Sequence, residues 1–184
     1  MNWKHNQHLK QLKDILAEVE ILETKGPVDQ QLSSICFDSR QAEKGSLFIA
    51  VKGTKADGHK FIPAVLKKGC IAVVCEELPD SIPGKVSFVK VKDSKTTLGQ
   101  IAAAWYAYPS KNLHLIGVTG TNGKTTVVTL LHDLFSNLGY QVGMLSTIRN
   151  RINGHDIDAT HTTPDPIQIN RLLNKMVESG CSHC

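Results

Sequence analysis

The feature that most constrains the fold of this chain is a glycine-rich segment at residues 120–126, with the sequence GTNGKTT. An apolar, strand-like run (LHLIGVT, 113–119) precedes it, and a stretch with helical periodicity (125–138) follows it. A second strand-like run, QVGMLST at 141–147, comes next. The order strand, loop, helix, strand predicts the start of a parallel α/β sheet, because parallel neighbours are joined by a crossover helix.

The glycine-rich segment has the composition that binds the phosphates of a nucleotide. Gly120 and Gly123 let backbone N–H groups approach an anion, and the following helix adds the positive end of its dipole. Lys124 supplies a cation for the outer phosphates, and Thr125 supplies a hydroxyl for Mg²⁺. The general phosphate-loop pattern would have a glycine at Val118 instead. The alternative is a glycine turn with an incidental lysine, but the flanking strand and helix favour ATP binding.

Residues 1–110 have the pattern of a separate, small α/β domain. Helices are predicted at 7–20, 59–68 and 94–106, and strands at 34–37, 46–51, 70–75 and 86–91. Residues 108–112 form the predicted linker to a second domain, 111–184. A final helix is predicted to begin after Asp165 and to end at Gly180. Cys184 falls where a third parallel strand would start, so we expect the second domain to be incomplete.

Charge and cysteine content exclude several classes of protein. The net charge is +4 and the basic residues are scattered, which argues against nucleic-acid binding. No apolar run reaches the length of a membrane span, and residues 1–7 lack a secretory signal, which favours the cytoplasm. Five cysteines, an odd number, argue against a disulfide framework. The final CSHC could be half of a zinc site but is interpreted as the start of a buried strand.

Three separated segments carry a family resemblance. The first is VTGTNGKTT at 118–126. The second, upstream, consists of DSR at 38–40, GSLFIA at 45–50 and DGHKFI at 57–62. The third is THTTPD at 160–165. Together they resemble the Mur ligases, which build the peptide stem of bacterial peptidoglycan, and the third segment is similar to the member that performs the third step.

The resemblance implies an ATP-dependent amide-bond ligase. ATP with Mg²⁺ would phosphorylate the D-Glu carboxylate of UDP-N-acetylmuramoyl-L-Ala-D-Glu, and the amine of a diamino acid, meso-diaminopimelate or L-lysine, would attack the acyl phosphate. Positioning and charge neutralisation are then the tasks of the protein. The resemblance places further magnesium ligands, a carbamylated lysine and the amino-acid-recognising domain beyond Cys184, so this chain alone is expected to be inactive. The alternative is a non-catalytic module that binds the UDP-muramoyl-peptide and ATP.

The resemblance also implies the residues of both binding sites. The ATP site would consist of Gly120, Thr121, Asn122, Gly123, Lys124, Thr125 and Thr126, with Lys124 as the catalytic residue on the phosphates and Thr125 on magnesium. The substrate site would consist of Phe37 and Ser39 at the uridine, Thr54, Lys55 and Ala56 at the uracil nucleotide, and His161, Thr162 and Thr163 at the muramoyl-peptide.

The residues outside the phosphate loop also have structural interpretations. Asp38 and Arg40 are interpreted as a local ion pair in a turn, and Ser39 could be a turn hydroxyl. Thr162 and Thr163 could merely precede the final helix. Six further histidines show no catalytic pattern and are expected at the surface or on helix faces: His5, His8, His59, His114, His132 and His155.

Overall fold

The computed structural model describes residues 9–53, 56–79, 81–157 and 164–184. The chain divides into two compact units, Met1–Trp105 and Tyr106–Cys184. Both units mix helices and strands, and the predicted α/β class is confirmed.

The first unit is built on a five-stranded sheet. Its strands in spatial order are β2 (Ile21–Lys25), β7 (Ser87–Val91), β6 (Ala72–Cys75), β5 (Ser46–Ile49) and β4 (Ser34–Cys36). Strands β4 to β7 are parallel, and β2 pairs antiparallel with β7. Two short strands, β1 (Lys10–Gln11) and β3 (Gln31–Leu32), pair separately. The helices are α1 (Leu12–Ile15), α2 (Ile62–Lys67), which follows a 3₁₀ turn at Gly58–Phe61, and α3 (Ser94–Trp105).

The core of this unit lies on the central parallel strands. β5 and β6 are buried along their whole length, which accounts for their continuous apolar sequences. Phe48, Val73 and Phe88 are fully buried and pack in one cluster with Ile62 and Val65 of α2. The four strands and the two later helices predicted for this region are therefore confirmed, with ends that differ by a few residues.

The predicted helix at 7–20 is wrong in its extent. In the described part of that range, α1 has four residues and follows β1, which pairs with β3. The backbone N–H of Leu12 donates to the Gln30 carbonyl at 2.9 Å, so tertiary pairing replaces a longer helix. Leu12, Ile15 and Leu16 are nevertheless buried, as the periodicity requires. β2 is not predicted, because as an edge strand exposed along its length it lacks a buried face.

The second unit contains two long helices and a three-stranded antiparallel sheet. Its elements are a 3₁₀ turn (Pro109–Asn112), α4 (Lys124–Asn137), β8 (Gly143–Leu145), β9 (Asn150–Ile152), β10 (His155–Ile157) and α5 (Pro166–Glu178). Both helices are predicted by the sequence, and β8 lies within the strand predicted at 141–147, whereas β9, β10 and their antiparallel pairing are not predicted. Asp165 caps α5 by accepting the Gln168 N–H at 2.9 Å, which confirms the predicted helix start.

The C-terminal residues lie between two parallel neighbours. His183 forms parallel bridges with His114 and with Val142. The Ile116 N–H donates to the Cys184 carbonyl, and the Gly143 N–H donates to the His183 carbonyl, both at 2.9 Å. The interpretation of the tail as a strand is therefore confirmed. The predicted strand at 113–119 is too long, because beyond residue 116 it has no strand partner among the described residues.

The predicted packed side of α4 is only partly buried. Val128, Leu131 and Phe135 are half-buried and His132 is buried, so of its two predicted positions, the surface or a helix face, His132 takes the helix face. Four other apolar side chains of the predicted packed side are 42 to 64% exposed: Val127, Leu130, Leu134 and Leu138. The apolar side chains of α4 thus cover a wider part of the helix surface than the face that is buried within the described part of this unit.

Candidate functional site

The glycine-rich segment forms an exposed loop at the start of α4. Gly123 is the residue before the helix and has φ +77°, a left-handed conformation that glycine adopts without strain. The Val127 N–H donates to the Gly123 carbonyl at 2.9 Å. The N–H groups of Lys124, Thr125 and Thr126 precede that bond and have no acceptor within the helix. Together with the helix dipole they form a donor set suited to an anion.

The side chain of Lys124 lies across this loop. Its Nζ donates to the Gly120 carbonyl at 2.6 Å and to the Thr121 carbonyl at 3.3 Å. Thr125, in the first turn of α4, carries the hydroxyl predicted to bind Mg²⁺ and is half-buried. Backbone donors, one ammonium and one hydroxyl fit a nucleoside triphosphate with its metal ion.

In the first unit, three predicted substrate residues lie at one edge of the five-stranded sheet. Phe37 and Ser39 come directly after β4, and Ala56 lies in the bend that follows β5. Because β4 and β5 are parallel neighbours, their carboxyl ends meet at the same edge. In open α/β sheets, ligands bind in the crevice outside this edge. Phe37 and Ser39 are half-buried, whereas Ala56 is exposed.

The turn that carries Ser39 contains the ion pair predicted from the sequence. Arg40 donates from Nε and Nη2 to the two carboxylate oxygens of Asp38, at 3.0 and 2.7 Å. These side-chain hydrogen bonds, and one from the Arg40 backbone N–H, lower the pKa of Asp38. Lys68 Nζ donates to the Ser39 carbonyl at 2.8 Å. The turn thus fixes the backbone of Ser39, whether its hydroxyl contacts a ligand or only the turn.

His59 belongs to a polar network at the same edge, which the sequence analysis missed. Its Nδ1 lies 2.6 Å from Asp57 Oδ1, and its Nε2 accepts the Glu76 N–H at 2.9 Å. The Glu76 carboxylate accepts from the Ser94 hydroxyl at 2.7 Å and lies 3.2 Å from Lys52 Nζ. The His59 side chain is only 14% exposed and belongs to the 3₁₀ turn, so of the two predicted positions, the surface or a helix face, it does not take the surface. The available signal was the aspartate two residues before it, a spacing typical of capped turns.

The charges of this network are paired. The pKa of Asp57 is lowered, first by the backbone N–H of His59 and then by its side chain. Burial acts to raise the pKa of Glu76, but hydrogen bonds from Ser94 and Lys52 outweigh it and the pKa is lowered. Hydrogen bonds with Glu77 and Glu76 raise the pKa of Lys52. Both carboxyl groups are therefore ionised, and Lys52 is charged, near neutral pH.

Five predicted substrate residues lie outside the described part of the chain: Thr54, Lys55, His161, Thr162 and Thr163. Their assignments remain predictions. Described neighbours flank both segments, namely Gly53 and Ala56 around the first, and Ile157 and Pro164 around the second.

An open cavity of about 260 Å³ lies in the second unit, away from the phosphate-loop backbone donors. Its wall is mainly apolar and includes Val128, Leu131, Met144 and Leu173. His132 also lines it, and within the described residues the His132 Nε2 has no hydrogen-bond partner. An apolar wall suits packing, so the loop before α4 is the better candidate for a polyphosphate.

Three further features concern only the described residues, 9–53, 56–79, 81–157 and 164–184. No three His, Cys, Asp or Glu side chains in those ranges are grouped closely enough to hold a metal ion. Across the same part of the chain, no helix has the length and apolar character needed to cross a membrane. The five cysteines are free thiols, and four of them are buried.

A glycine-rich loop at a helix start, and a separate parallel sheet with polar residues at its carboxyl edge, define a two-unit α/β protein with two candidate ligand sites. Comparison with family models is more specific. Residues 31–106 match the catalytic domain of the Mur ligase family, and residues 118–184 match the Mur ligase middle domain. The chain therefore belongs to the Mur ligase family, as the resemblance predicted.

Its relatives are similar over nearly all of this chain. It is 53% identical over 175 residues to a UDP-N-acetylmuramoyl-L-alanyl-D-glutamate–2,6-diaminopimelate ligase from Cytophaga hutchinsonii. The aligned residues cover 95% of this chain and 36% of that relative. It is 45% identical over 173 residues to the ligase of the same name from Parabacteroides distasonis, covering 94% and 36%. The chain thus spans about a third of the length of these relatives.

Solved structures show the same fold. The chain is similar to a structure of a UDP-N-acetylmuramoyl-L-alanyl-D-glutamate–2,6-diaminopimelate ligase, with a TM-score of 0.73 and 24% identity, over 96% of this chain and 35% of that one. A UDP-N-acetylmuramoylalanyl-D-glutamyl-2,6-diaminopimelate–D-alanyl-D-alanyl ligase from Acinetobacter baumannii has a TM-score of 0.59 and 23% identity, over 91% and 34%. At these identities the likeness supports the fold alone.

Proposed function

We propose that this chain is the N-terminal part of a cytoplasmic, ATP-dependent ligase of peptidoglycan synthesis, a UDP-N-acetylmuramoyl-tripeptide synthetase. The whole enzyme joins a diamino acid to the D-Glu carboxylate of UDP-N-acetylmuramoyl-L-Ala-D-Glu. The observation that carries the proposal is the phosphate loop before α4, with Lys124 across it, in a chain 53% identical to a ligase of this class.

The second unit binds ATP in this proposal. Backbone N–H groups from Gly120 to Thr126 surround the phosphates, and the Lys124 ammonium neutralises the charge that develops on the transferred group. The Thr125 hydroxyl is a ligand of Mg²⁺. When bound, ATP supplies the phosphoryl group that converts a poor carboxylate electrophile into an acyl phosphate. The loop residues hold and orient that group, which is the main contribution of a protein to phosphoryl transfer.

The first unit binds the nucleotide end of the peptidoglycan precursor. Phe37 and Ser39 contact the uridine, and Ala56 lies in the bend that contacts the uracil nucleotide. Support comes from their shared position at the carboxyl edge of parallel strands β4 and β5. Thr54 and Lys55, which precede Ala56 in the sequence, are proposed to contact the uracil nucleotide, and His161, Thr162 and Thr163 are proposed to hold the muramoyl-peptide.

We further propose that the diamino acid is diaminopimelate rather than L-lysine. The sequence alone leaves both open. The support is that the relatives from Cytophaga hutchinsonii, Parabacteroides distasonis and Bacteroides fragilis, at 53, 45 and 46% identity, are all named as 2,6-diaminopimelate ligases.

The ATP site is tested by Lys124→Met, which removes the charge and keeps the length of the side chain. Hydrogen bonds to charged groups contribute about 1.5–3 kcal/mol, so the Kd for Mg-ATP should rise about ten- to a hundredfold. Isothermal titration calorimetry measures it directly. Lys67→Met, at an exposed lysine of α2, is the control and should bind ATP like the wild type. Equal affinity in Lys124→Met and wild type would contradict the role of Lys124.

The second candidate function is a non-catalytic module that binds ATP and the UDP-muramoyl-dipeptide. It is favoured by one observation, namely that the loop before α4 and the carboxyl edge of strands β4 and β5, the two candidate binding sites, both lie within this chain. An assay for the amide product made by the full-length protein distinguishes the two. Incubated with ATP, Mg²⁺, UDP-N-acetylmuramoyl-L-Ala-D-Glu and diaminopimelate, that protein should give the tripeptide product if it is a ligase and none if it only binds. The 184 residues alone should give no product in either case.

A further inference from the structure

The bend after β5 is closed by its own backbone. Lys52 and Asp57 form an antiparallel bridge, and inside it the Gly53 N–H donates to the Ala56 carbonyl at 3.0 Å. The Gly58 N–H donates back to the Val51 carbonyl at 2.9 Å. Gly53 and Ala56 are exposed, so water competes for the hydrogen bond between them, whereas Gly58 is buried.

His59 ties this bend to the next strand of the sheet. Because the Glu76 backbone N–H donates to Nε2, that nitrogen carries no hydrogen. The ring hydrogen is therefore on Nδ1 and points at the Asp57 carboxylate, 2.6 Å away. The two partners fix both the tautomer and the orientation of the ring. Asp57 and Glu76 follow β5 and β6 respectively, so the ring joins the carboxyl ends of two parallel strands.

Glu76 also contacts the first residue of α3, Ser94, and the first residue of the bend, Lys52. Its carboxylate accepts the backbone N–H and the hydroxyl of Ser94, at 3.1 and 2.7 Å, at the start of α3. It also pairs with Lys52, the first residue of the bend, at 3.2 Å. The bend is thus attached to buried structure at both of its ends.

Helix capping alone does not account for the imidazole. Asp57 caps the 3₁₀ turn by accepting the backbone N–H of His59 at 2.9 Å, which any residue at position 59 would provide. The ring adds a contact to a different strand, and it is mostly buried to do so. The arrangement therefore holds the bend in one position relative to the sheet edge.

We propose that His59 is a positioning residue that fixes the backbone of Ala56 and Asp57 at the carboxyl edge of the sheet and thereby sets affinity for the uridine nucleotide without touching it. This inference depends on the proposed function, because that function places the nucleotide against Ala56. The Ala56–Asp57 backbone would otherwise have to be ordered when the ligand binds, and ordering lowers affinity. No other described contact links the Asp57 side chain to β6.

The test compares three variants of His59 whose side chains keep none or one of the two hydrogen bonds that the ring makes, to Asp57 and to the Glu76 N–H. His59→Phe keeps the ring shape and loses both hydrogen bonds. In His59→Asn the amide can still donate to Asp57, and in His59→Gln the longer amide can still accept from Glu76. Calorimetry gives the Kd of the 184-residue chain for UDP-N-acetylmuramoyl-L-Ala-D-Glu, for UDP and for Mg-ATP. His155→Phe, at an exposed histidine of β10, is the matched control.

The Kd for both uridine nucleotides should rise about tenfold in His59→Phe, the order expected from losing one or two ordinary hydrogen bonds. The Asn and Gln variants should show smaller rises, and the Mg-ATP Kd should stay unchanged throughout. Circular dichroism and thermal unfolding establish that each variant is folded at the temperature of the titration.

The results separate the inference from the proposed function. Uridine-nucleotide affinity in His59→Phe equal to that of the wild type and of His155→Phe would overturn the inference and leave the proposed function intact. A wild-type chain that binds neither uridine nucleotide would overturn both. A parallel loss of Mg-ATP binding would show a general structural defect and would also overturn the positioning role.

Discussion

Replacing Gly58 by alanine adds one methyl group where the bend after β5 returns to the sheet. The new Cβ would lie 2.7 Å from the Val51 nitrogen, 2.8 Å from the Val51 oxygen and 3.0 Å from the Ala50 carbonyl carbon. All three are backbone atoms directly after a fully buried strand, so they cannot rotate aside as a side chain could. Either Gly58 or the strand end has to shift, and the 2.9 Å hydrogen bond between Gly58 and Val51 lengthens with it.

The expected cost follows from two opposing effects. Overpacking a buried site by a methyl group costs about 1–3 kcal/mol. Alanine also restricts the unfolded chain more than glycine does, which offsets about 0.4–1 kcal/mol. We therefore expect Gly58→Ala to lower the free energy of unfolding by about 1–2 kcal/mol.

Gly99→Ala is the matched control, because it adds the same methyl group in the same unit with no atom within 4 Å of the new Cβ. Gly99 lies inside α3, where alanine is favoured over glycine by about 0.5–1 kcal/mol. Urea unfolding, followed by circular dichroism and by tryptophan fluorescence with Trp105 as a reporter, should thus show opposite signs for the two variants. A Gly58→Ala protein as stable as the wild type would refute the argument that this backbone is rigid.

Two further predictions concern local electrostatics and capping. Asp165→Ala removes the acceptor of the Gln168 N–H and should cost about 0.5–2 kcal/mol of unfolding free energy, whereas Asp165→Asn should cost little, as urea unfolding would show. The pKa of Asp38 is lowered in the folded state, so its contribution to stability is present above the unfolded pKa of about 3.9 and is lost as pH falls through the folded value. Thermal unfolding of wild type and Asp38→Asn between about pH 6 and 2 should therefore show their difference in Tm shrinking on acidification; a constant difference would contradict the ion-pair explanation.

Elements whose own residues carry a local signal were predicted correctly, whereas elements that depend only on pairing with distant residues were not. β5 and β6 were predictable because strands buried on both faces need continuous apolar residues. The start of α5 was predictable because an aspartate cap acts within one turn. The helix at 7–20 failed because β1, whose pairing with β3 no local pattern reports, occupies Lys10–Gln11, so α1 begins only at Leu12; it ends at Ile15. β2 was missed for a similar reason, since its only described partner, β7, is distant in sequence.

The candidate site divides in the same way. The predicted phosphate loop is a local feature, because its glycines and Lys124 stand between a strand-like run and a helix, although the first glycine departs from the general spacing. The Asp38–Arg40 pair is also local, two residues apart. The role of His59 was not predictable, because the Glu76 N–H that fixes its ring is 17 residues away and is brought close only by the parallel pairing of β5 with β6. The sequence shows that His59 is close to Asp57, but it does not show that Glu76, at the end of β6, contacts the other side of the imidazole ring.

Each unit uses one side chain to hold a loop at its candidate site, and the chemistry of that side chain differs with the proposed ligand. Lys124 is charged and exposed, and it donates to two loop carbonyls that a phosphate oxygen could replace as acceptor. Such a group suits a ligand that arrives with negative charge. His59 is mostly buried and joined to two fixed partners, so it has no donor to offer a ligand. Substituting Lys124 should therefore weaken binding by removing a contact, whereas substituting His59 should weaken it by loosening the bend that makes the contact.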